Sequence, residues 1–185
     1  MRDLDTGDRV LVSIYSPNKD LKLISSTILT VFHHHCSSIR LLEIYTMDQE
    51  QPVRLTTTHS LLVRKANAHT EKFEYASEIS VGDYLFSPSL EPQRVLEIKE
   101  IVVENSTVYA PLTFEGTIVT NHSIASCYGT YPHQFMHVLT IPIRWWYRAL
   151  LELSNIHFLQ KLTNNFLIQF IHGYLYLVDT TFTFA

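Results

Sequence analysis

Residues 3–11 read DLDTGDRVL and residues 78–86 read EISVGDYLF, so one pattern occurs twice in the chain. In both copies acidic and apolar positions lead to a Gly-Asp pair, and apolar residues follow it. Glycine supplies the positive φ or close approach that a tight turn needs, and the apolar residues after it read as a strand. A lone Gly-Asp turn is common, but two copies in the same register indicate a duplicated β subdomain.

Between and after these turns lie short runs rich in β-branched and aromatic residues, which predict strands. These runs are Val10–Tyr15, Ser26–Phe32, Leu41–Tyr45, Ser60–Val63 and Val95–Val103. Turn-forming residues separate them at 16–20, 48–52 and 87–92. No helical period lies between the runs, so this part of the chain is predicted to be an antiparallel all-β domain.

The pattern changes from about residue 131. Residues 144–153 are good helix formers, and apolar residues recur at helical spacing from 158 to 171. We therefore divide the chain into a β domain at 1–129 and a helical tail at 130–185. The tail's aromatic residues fit a lipid-binding or membrane-interface surface, but they fit the tail's own core somewhat better: Trp145, Trp146, Tyr147, Phe158, Phe166, Phe170, Tyr174 and Tyr176.

Composition excludes several classes of protein. The 185 residues include 14 Lys and Arg against 18 Asp and Glu. This weak acidity, together with the lack of a run of basic residues, argues against a nucleic-acid partner. Two cysteines, Cys36 and Cys127, are too few for a disulfide scaffold or a thiolate zinc site. Charged residues near Met1 exclude a secretory signal there, and no apolar run is long enough to span a membrane.

Two groups of residues are candidates for chemistry. Thr56 lies three residues before His59 at a strand-to-turn boundary, where a hydroxyl and an imidazole can both reach one backbone amide. By itself this spacing is more often structural. The run from His33 to Cys36 invites a metal site, but a strand turns only two of its imidazoles to one face, so we favour one site histidine without a metal. His133 and His137, at helical spacing, are expected to pack or cap rather than bind metal.

Residues 110–128 read APLTFEGTIVTNHSIASCY. Together with the repeated Gly-Asp turn and the T-x-x-H segment, this stretch resembles the Hint domain of the hedgehog C-terminal autoprocessing region. That family's pattern runs roughly GDRVL, LTxxHLLxV, GDYL, APLTxEGTIVV and ASCYA in this order. The resemblance covers about residues 3–129. It implies an all-β, pseudo-two-fold Hint fold with a short helical C-terminal extension, in which the tail corresponds to the sterol- or adduct-recognition region.

The resemblance also implies a reaction. In the family a cysteine at the start of the domain attacks the preceding carbonyl to form a thioester, and a sterol hydroxyl then releases the upstream segment as its ester. Thr56 and His59 would assist the first step. His33 falls where the family usually has an acid-base Asp; a neutral imidazole can do the same work near pH 7, and His at this position points to the nematode hedgehog-related branch.

The sequence departs from the family at its start, because family members carry roughly twenty more residues before the first Gly-Asp turn, beginning with the nucleophilic cysteine. By position neither Cys36 nor Cys127 replaces the nucleophile. Cys127 matches the inner S-C-Y cysteine, a structural or redox residue that in relatives can pair with the catalytic cysteine. We therefore expect an N-terminally truncated domain that lacks its nucleophile and its upstream signalling segment and is inactive as given.

The function expected on these grounds is hedgehog-type autoprocessing, with a sterol or other lipid alcohol as co-substrate and no resident cofactor or metal. The partners would be that alcohol and the upstream segment in cis, with a membrane surface as a further candidate. The family places such domains in the secretory pathway or outside the cell. The alternative is a non-catalytic Hint remnant that acts at most in lipid or protein binding. A bacterial-type intein is disfavoured, because the chain ends in Thr183-Phe184-Ala185 and not in a His-Asn splice junction.

Overall fold

A computed structural model describes residues 4–18, 20–47, 51–120, 123–129 and 131–154. These residues form nine strands, one 3-10 turn (Ala76–Glu78) and two helices. The strands are β1 (Arg9–Tyr15), β2 (Leu21–Thr46), β3 (Val53–Thr56), β4 (Ser60–Arg64), β5 (Glu71–Tyr75), β6 (Tyr84–Phe86), β7 (Pro92–Thr113), β8 (Thr117–Val119) and β9 (Ile124–Ser126). The helices are α1 (His133–Leu139) and α2 (Ile141–Ser154).

All described strand pairs are antiparallel, and they join into one sheet in the order β1-β2-β7-β6-β4-β9-β8, with β3 beside β2 and β5 beside β4. The predicted all-β class and the helical extension are therefore confirmed. The core lies between the strands, where its largest cluster of buried apolar residues includes Ile44, Leu61, Val63, Leu85 and Val95. Burial of these side chains is the main force that favours folding.

The prediction was wrong about the number of strands in one region. The runs Ser26–Phe32 and Leu41–Tyr45 belong to the single strand β2, which pairs with β7 from Ile28 opposite Thr113 to Thr46 opposite Val95. The polar residues between the two runs resemble a loop in sequence, but they lie on a two-stranded ribbon that is mostly exposed. Backbone ladder bonds do not depend on side-chain polarity, so the strand continues through them.

The repeated Gly-Asp turns have the same geometry. Gly7 and Gly82 both have a φ of 98°. Gly7 N donates to Ile28 O at 2.9 Å and Ile28 N to Asp8 O at 2.8 Å. In the second copy Gly82 N donates to Val95 O at 2.9 Å, and Val95 N donates to Asp83 O at 2.8 Å. The duplication predicted from sequence is confirmed at the level of individual hydrogen bonds.

The two turns differ in how their aspartates are used. Asp83 is buried, and its carboxylate accepts bonds from Ser80 N, Ala66 N and Lys65 Nζ at 2.8, 3.1 and 2.9 Å. Burial alone would raise the pKa of Asp83, but these hydrogen bonds and the Lys65 charge outweigh it and lower the pKa below its ordinary value. Asp8 is exposed, and its carboxylate accepts the bond from Asp5 N at 2.8 Å.

The chain divides into two compact units between Leu139 and Thr140, so α1 belongs with the strands and α2 with the second unit. The helix predicted at 144–153 is confirmed as part of α2, on which Ile143 is buried and Trp145 is exposed. The predicted helical stripe at 158–171 lies outside the described residues. No described helix is long and apolar enough to cross a membrane.

We expect Asp83→Ala to lower the free energy of unfolding by about 2–3 kcal/mol, because it removes three hydrogen bonds to a buried carboxylate. The matched change Asp8→Ala, at the exposed copy of the turn, should cost under about 1 kcal/mol. Denaturant titration measures both. Because the folded pKa of Asp83 is depressed, its contribution is present above pH 3.8 and is lost as the pH falls through the folded value. Equal losses in the two variants would contradict this account.

Candidate functional site

The T-x-x-H segment is the turn that joins β3 to β4. His59 N donates to Thr56 O at 3.1 Å, which closes a four-residue turn. Two further bonds hold this turn from outside: Ala76 N donates to His59 O at 2.8 Å, and Ser77 N donates to Thr57 O at 2.9 Å. The turn brings Thr56 and His59 together because it makes the first and fourth residues neighbours. Both residues are half-buried.

The imidazole of His59 is held in one orientation. Its Nε2 lies 2.8 Å from Ser126 O, and since a carbonyl oxygen only accepts, Nε2 carries the hydrogen. In the neutral ring Nδ1 is then left with a lone pair. This atom faces Gly129, where a Cβ would lie 3.7 Å away. The glycine therefore keeps the space beside the basic nitrogen free of a side chain.

Burial lowers the pKa of His59 from its ordinary value, and the bond to Ser126 O offsets this only in part. The ring is therefore neutral at pH 7. A neutral imidazole with a free Nδ1 can take a proton from a thiol or an alcohol and then pass it to a leaving nitrogen.

Cys127 lies next to this site. Its backbone N donates to Gly116 O at 2.9 Å, and its Sγ lies 3.6 Å from Thr113 Oγ1. The Thr113 hydroxyl donates to Thr117 O at 2.8 Å, so its hydrogen is not directed at the sulfur. Cys127 and Cys36 are both half-buried, and Cys36 lies far along the ribbon from Thr113, opposite Ser106. The structural or redox role of Cys127 stays a prediction.

His33 lies on β2, whereas His59 lies in the turn between β3 and β4. His33 is exposed opposite Tyr109, and the two rings meet edge to face with centroids 5.0 Å apart. No hydrogen bond or ring contact among the described residues joins it to Thr56 or His59. Its neighbour His35 has its Nδ1 3.2 Å from Thr107 Oγ1. The assignment of His33 to the site stays a prediction.

The first helix contributes His133 and His137, which the sequence predicts to pack or cap. The Nδ1 of His133 lies 2.9 Å from Ser126 Oγ, and its ring stacks on Phe73. The Nδ1 of His137 lies 3.3 Å from Tyr128 Oη. Among the described residues no group of three or more His, Cys, Asp or Glu side chains could hold a metal ion.

Ser126 is a site residue that the sequence did not predict. It lies in the S-C-Y segment, and it binds His59 through its carbonyl and His133 through its hydroxyl. Its place in that segment was the available signal. Sixty-seven residues separate Ser126 from His59, so spacing alone could not have paired them.

The chain is similar to known proteins in sequence and in structure. The family model described as the Hint module matches residues 1–175. Sonic hedgehog protein of Xenopus laevis is 30% identical over 152 residues, which are 78% of this chain and 33% of that protein. Warthog protein 1 of Caenorhabditis elegans is 28% identical over 148 residues, which are 76% of this chain and 29% of that protein. The chain thus spans about a third of the length of these curated relatives.

The solved structures similar to this fold include inteins. The bacterial intein-like domain from Clostridium thermocellum has a TM-score of 0.54 at 19% identity, covering 68% of this chain and 85% of that one. A DnaB intein from Synechocystis has a TM-score of 0.50 at 17% identity, covering 66% and 79%. At such identities the likeness shows the fold alone.

We expect His59 to be neutral and protonated on Nε2 at pH 7, with a protonation midpoint below 6.5. A titration followed by imidazole ¹⁵N NMR measures both, and His59→Gln identifies the signal. Since the unfolded chain takes up this proton more readily, the contribution of His59 to stability is complete above pH 6.5 and falls as the pH drops toward the folded value. A His59 ring that is charged, or protonated on Nδ1 alone, at pH 7 would refute the proposed orientation.

Proposed function

Because the chain belongs to the Hint module family, we propose that it is an autoprocessing domain of the hedgehog type. In this proposal the domain cuts the peptide bond that precedes it and transfers the upstream segment to a sterol or another lipid alcohol. The observation that carries the proposal is the orientation of His59. A neutral, half-buried imidazole fixed by a backbone carbonyl presents one basic nitrogen next to a glycine.

The first step is an N-to-S acyl shift. The thiol of a cysteine at the start of the domain attacks the carbonyl of the preceding residue, a C–S bond forms and the C–N bond breaks. His59 Nδ1 takes the thiol proton and delivers it to the departing amine. The Thr56 hydroxyl, beside His59 on the same turn, donates to the carbonyl oxygen as negative charge develops there.

The second step transfers the acyl group. The hydroxyl of the lipid alcohol attacks the thioester carbonyl, a C–O bond forms, the C–S bond breaks and the cysteine leaves as thiolate. His33 takes the proton of the attacking hydroxyl and returns it to the sulfur. The exposed position of His33 on β2 allows a large acceptor to approach.

The tail is proposed to receive the lipid. Trp145 on α2 is 59% exposed, which suits an aromatic side chain that contacts sterol or the membrane interface. A domain that passes its upstream segment to a membrane lipid would work in the secretory pathway or outside the cell. The likeness to hedgehog proteins supports this location.

To test the proposal, a reporter followed by a family-like Cys-Phe opening segment is fused ahead of Met1, and the same reporter is fused directly. We expect thiol-dependent cleavage, and esterification when sterol is added, in the first fusion alone. His59→Ala should slow cleavage by about 10²–10⁴-fold, the usual contribution of a general acid-base group. Cleavage is followed by gel and intact mass.

The matched control is His69→Ala, an exposed histidine in the β4–β5 turn, which should leave the rate unchanged. If the fusion with the opening segment folds but does not cleave, the non-catalytic alternative is correct and the chain acts at most in binding. Cleavage of the direct fusion would instead identify Cys36 or Cys127 as the nucleophile.

The role of His33 is tested in the same fusion. His33→Ala should slow sterol transfer by about 10²-fold while cleavage by small thiols continues. His33→Asp should keep transfer, because a carboxylate at this position can also take the proton of the attacking hydroxyl. The adjacent exposed His34 serves as control through His34→Ala. Equal loss of thiol cleavage and sterol transfer in His33→Ala would show that His33 is not specific to the second step.

A further inference from the structure

Ser126 connects the site histidine to the first helix. Its carbonyl oxygen accepts the Nε2–H of His59 at 2.8 Å, and its hydroxyl oxygen lies 2.9 Å from His133 Nδ1. Ser126 is completely buried. Two histidines 74 positions apart in the chain (133 against 59) therefore meet at opposite ends of one small residue.

The Ser126 hydroxyl takes part in two hydrogen bonds. The backbone N of Tyr128 donates to Ser126 Oγ at 3.0 Å. The same oxygen lies within hydrogen-bond distance of His133 Nδ1, and a hydroxyl has the donor and the lone pairs to serve both partners. A chain of bonds thus runs from the Tyr128 amide through the serine hydroxyl to the His133 ring. It ties the Ser126 side chain to the backbone at Tyr128, two residues beyond the carbonyl that binds His59.

The His133 ring is itself held in place. It stacks on Phe73 of β5 with ring centroids 4.2 Å apart and an interplanar angle of 20°. On its other sides lie the rings of Tyr128 and His137, at 5.6 and 5.5 Å. A ring packed in this way keeps its Nδ1 in one position, so it can hydrogen-bond a neighbouring hydroxyl in a fixed geometry.

We propose that His133 is a positioning residue for His59, acting through the Ser126 hydroxyl. By holding Ser126 in one rotamer, His133 directs the serine carbonyl at His59 Nε2 and so keeps Nδ1 facing the space beside Gly129. This proposal rests on the proposed function only for the catalytic role of His59. The contacts among His59, Ser126 and His133 are present in this chain whether or not it cleaves. Packing alone would need the ring of His133 but not its nitrogen.

Two substitutions separate these requirements. His133→Phe keeps the ring on Phe73 and removes Nδ1, whereas His133→Asn loses the ring and places an amide group, which can donate or accept, near the former Nδ1. Ser126→Ala removes the hydroxyl and leaves the carbonyl. The control is His137→Phe, the same exchange one turn later on α1, where the Nδ1 lies 3.3 Å from Tyr128 Oη.

The measurement is imidazole NMR of His59 in the full 185-residue chain, which needs no cleavage activity. We expect His133→Phe and Ser126→Ala each to raise the exchange rate of the Nε2 hydrogen and the minor Nδ1–H tautomer by about five- to tenfold, the effect of losing one ordinary hydrogen bond. Their combination should add nothing to either alone. His133→Asn should bring the exchange rate and the tautomer population most of the way back to those of the parent chain. His137→Phe should leave the His59 signals unchanged.

The proposal is overturned if His133→Phe leaves the tautomer and the hydrogen exchange of His59 as in the parent chain. It is also overturned if only His133→Asn changes them, because the His133 ring and not its nitrogen would then be what matters. If His133→Phe fails to fold, Ser126→Ala decides the question, since His59 signals unchanged by loss of the hydroxyl also overturn it. In the cleaving fusion the positioning variants should lower the rate by a similar factor. A fusion that never cleaves would reject the proposed function and leave the NMR result standing.

Discussion

The structure depends on two short exchanges of backbone hydrogen bonds. The fully buried residues Ile28 and Val95 each bind the backbone of a Gly-Asp turn through both amide and carbonyl. These residues also mark the two ends of the ladder between β2 and β7, where irregularities in register lie beside Ile28 opposite Thr113 and Val95 opposite Thr46. If either exchange were broken, two buried polar groups would lose their partners, a cost that a marginally stable domain cannot easily absorb.

The two ends of this ribbon have the same backbone and different chemistry. Thr46 and Thr113 occupy matching places and are both buried, yet the Thr46 hydroxyl has no hydrogen-bond partner among the described residues. The Thr113 hydroxyl binds Thr117 O and lies against the sulfur of Cys127, one residue from the carbonyl that holds His59. At the other end the buried, charge-paired Asp83 serves stability instead. The duplication thus gives the two ends of the ribbon equivalent backbones. The side chains around each end decide whether it supports the site or the stability of the domain.

Features that depend on interactions between residues close together in the sequence could be predicted, and features that depend on distant residues could not. The Gly-Asp turns and the closeness of Thr56 to His59 depend on bonds between residues a few positions apart, and local patterns report these. The length of β2 could not be predicted, because its polar middle is fixed by pairing with β7 and not by its own periodicity. The same holds for Ser126 and His133, since helical spacing predicts that His133 and His137 share a face but does not reveal which hydroxyl the first of them meets.

The packing of α1 shows how far the site extends along the chain. Gly116 has a φ of 72°, and a Cβ there would lie 2.6 Å from His137 Nδ1 and 2.7 Å from Tyr128 Oη, both far inside van der Waals contact. The hairpin of β8 and β9 can therefore carry α1 only because residue 116 has no side chain. His133 reaches Ser126 from this docked helix, so the groups that orient His59 come from the turn after β3, the end of β9 and the start of α1. The first compact unit, which ends at Leu139, contains all of them, whereas the strands alone would leave the Ser126 hydroxyl without its partner on His133.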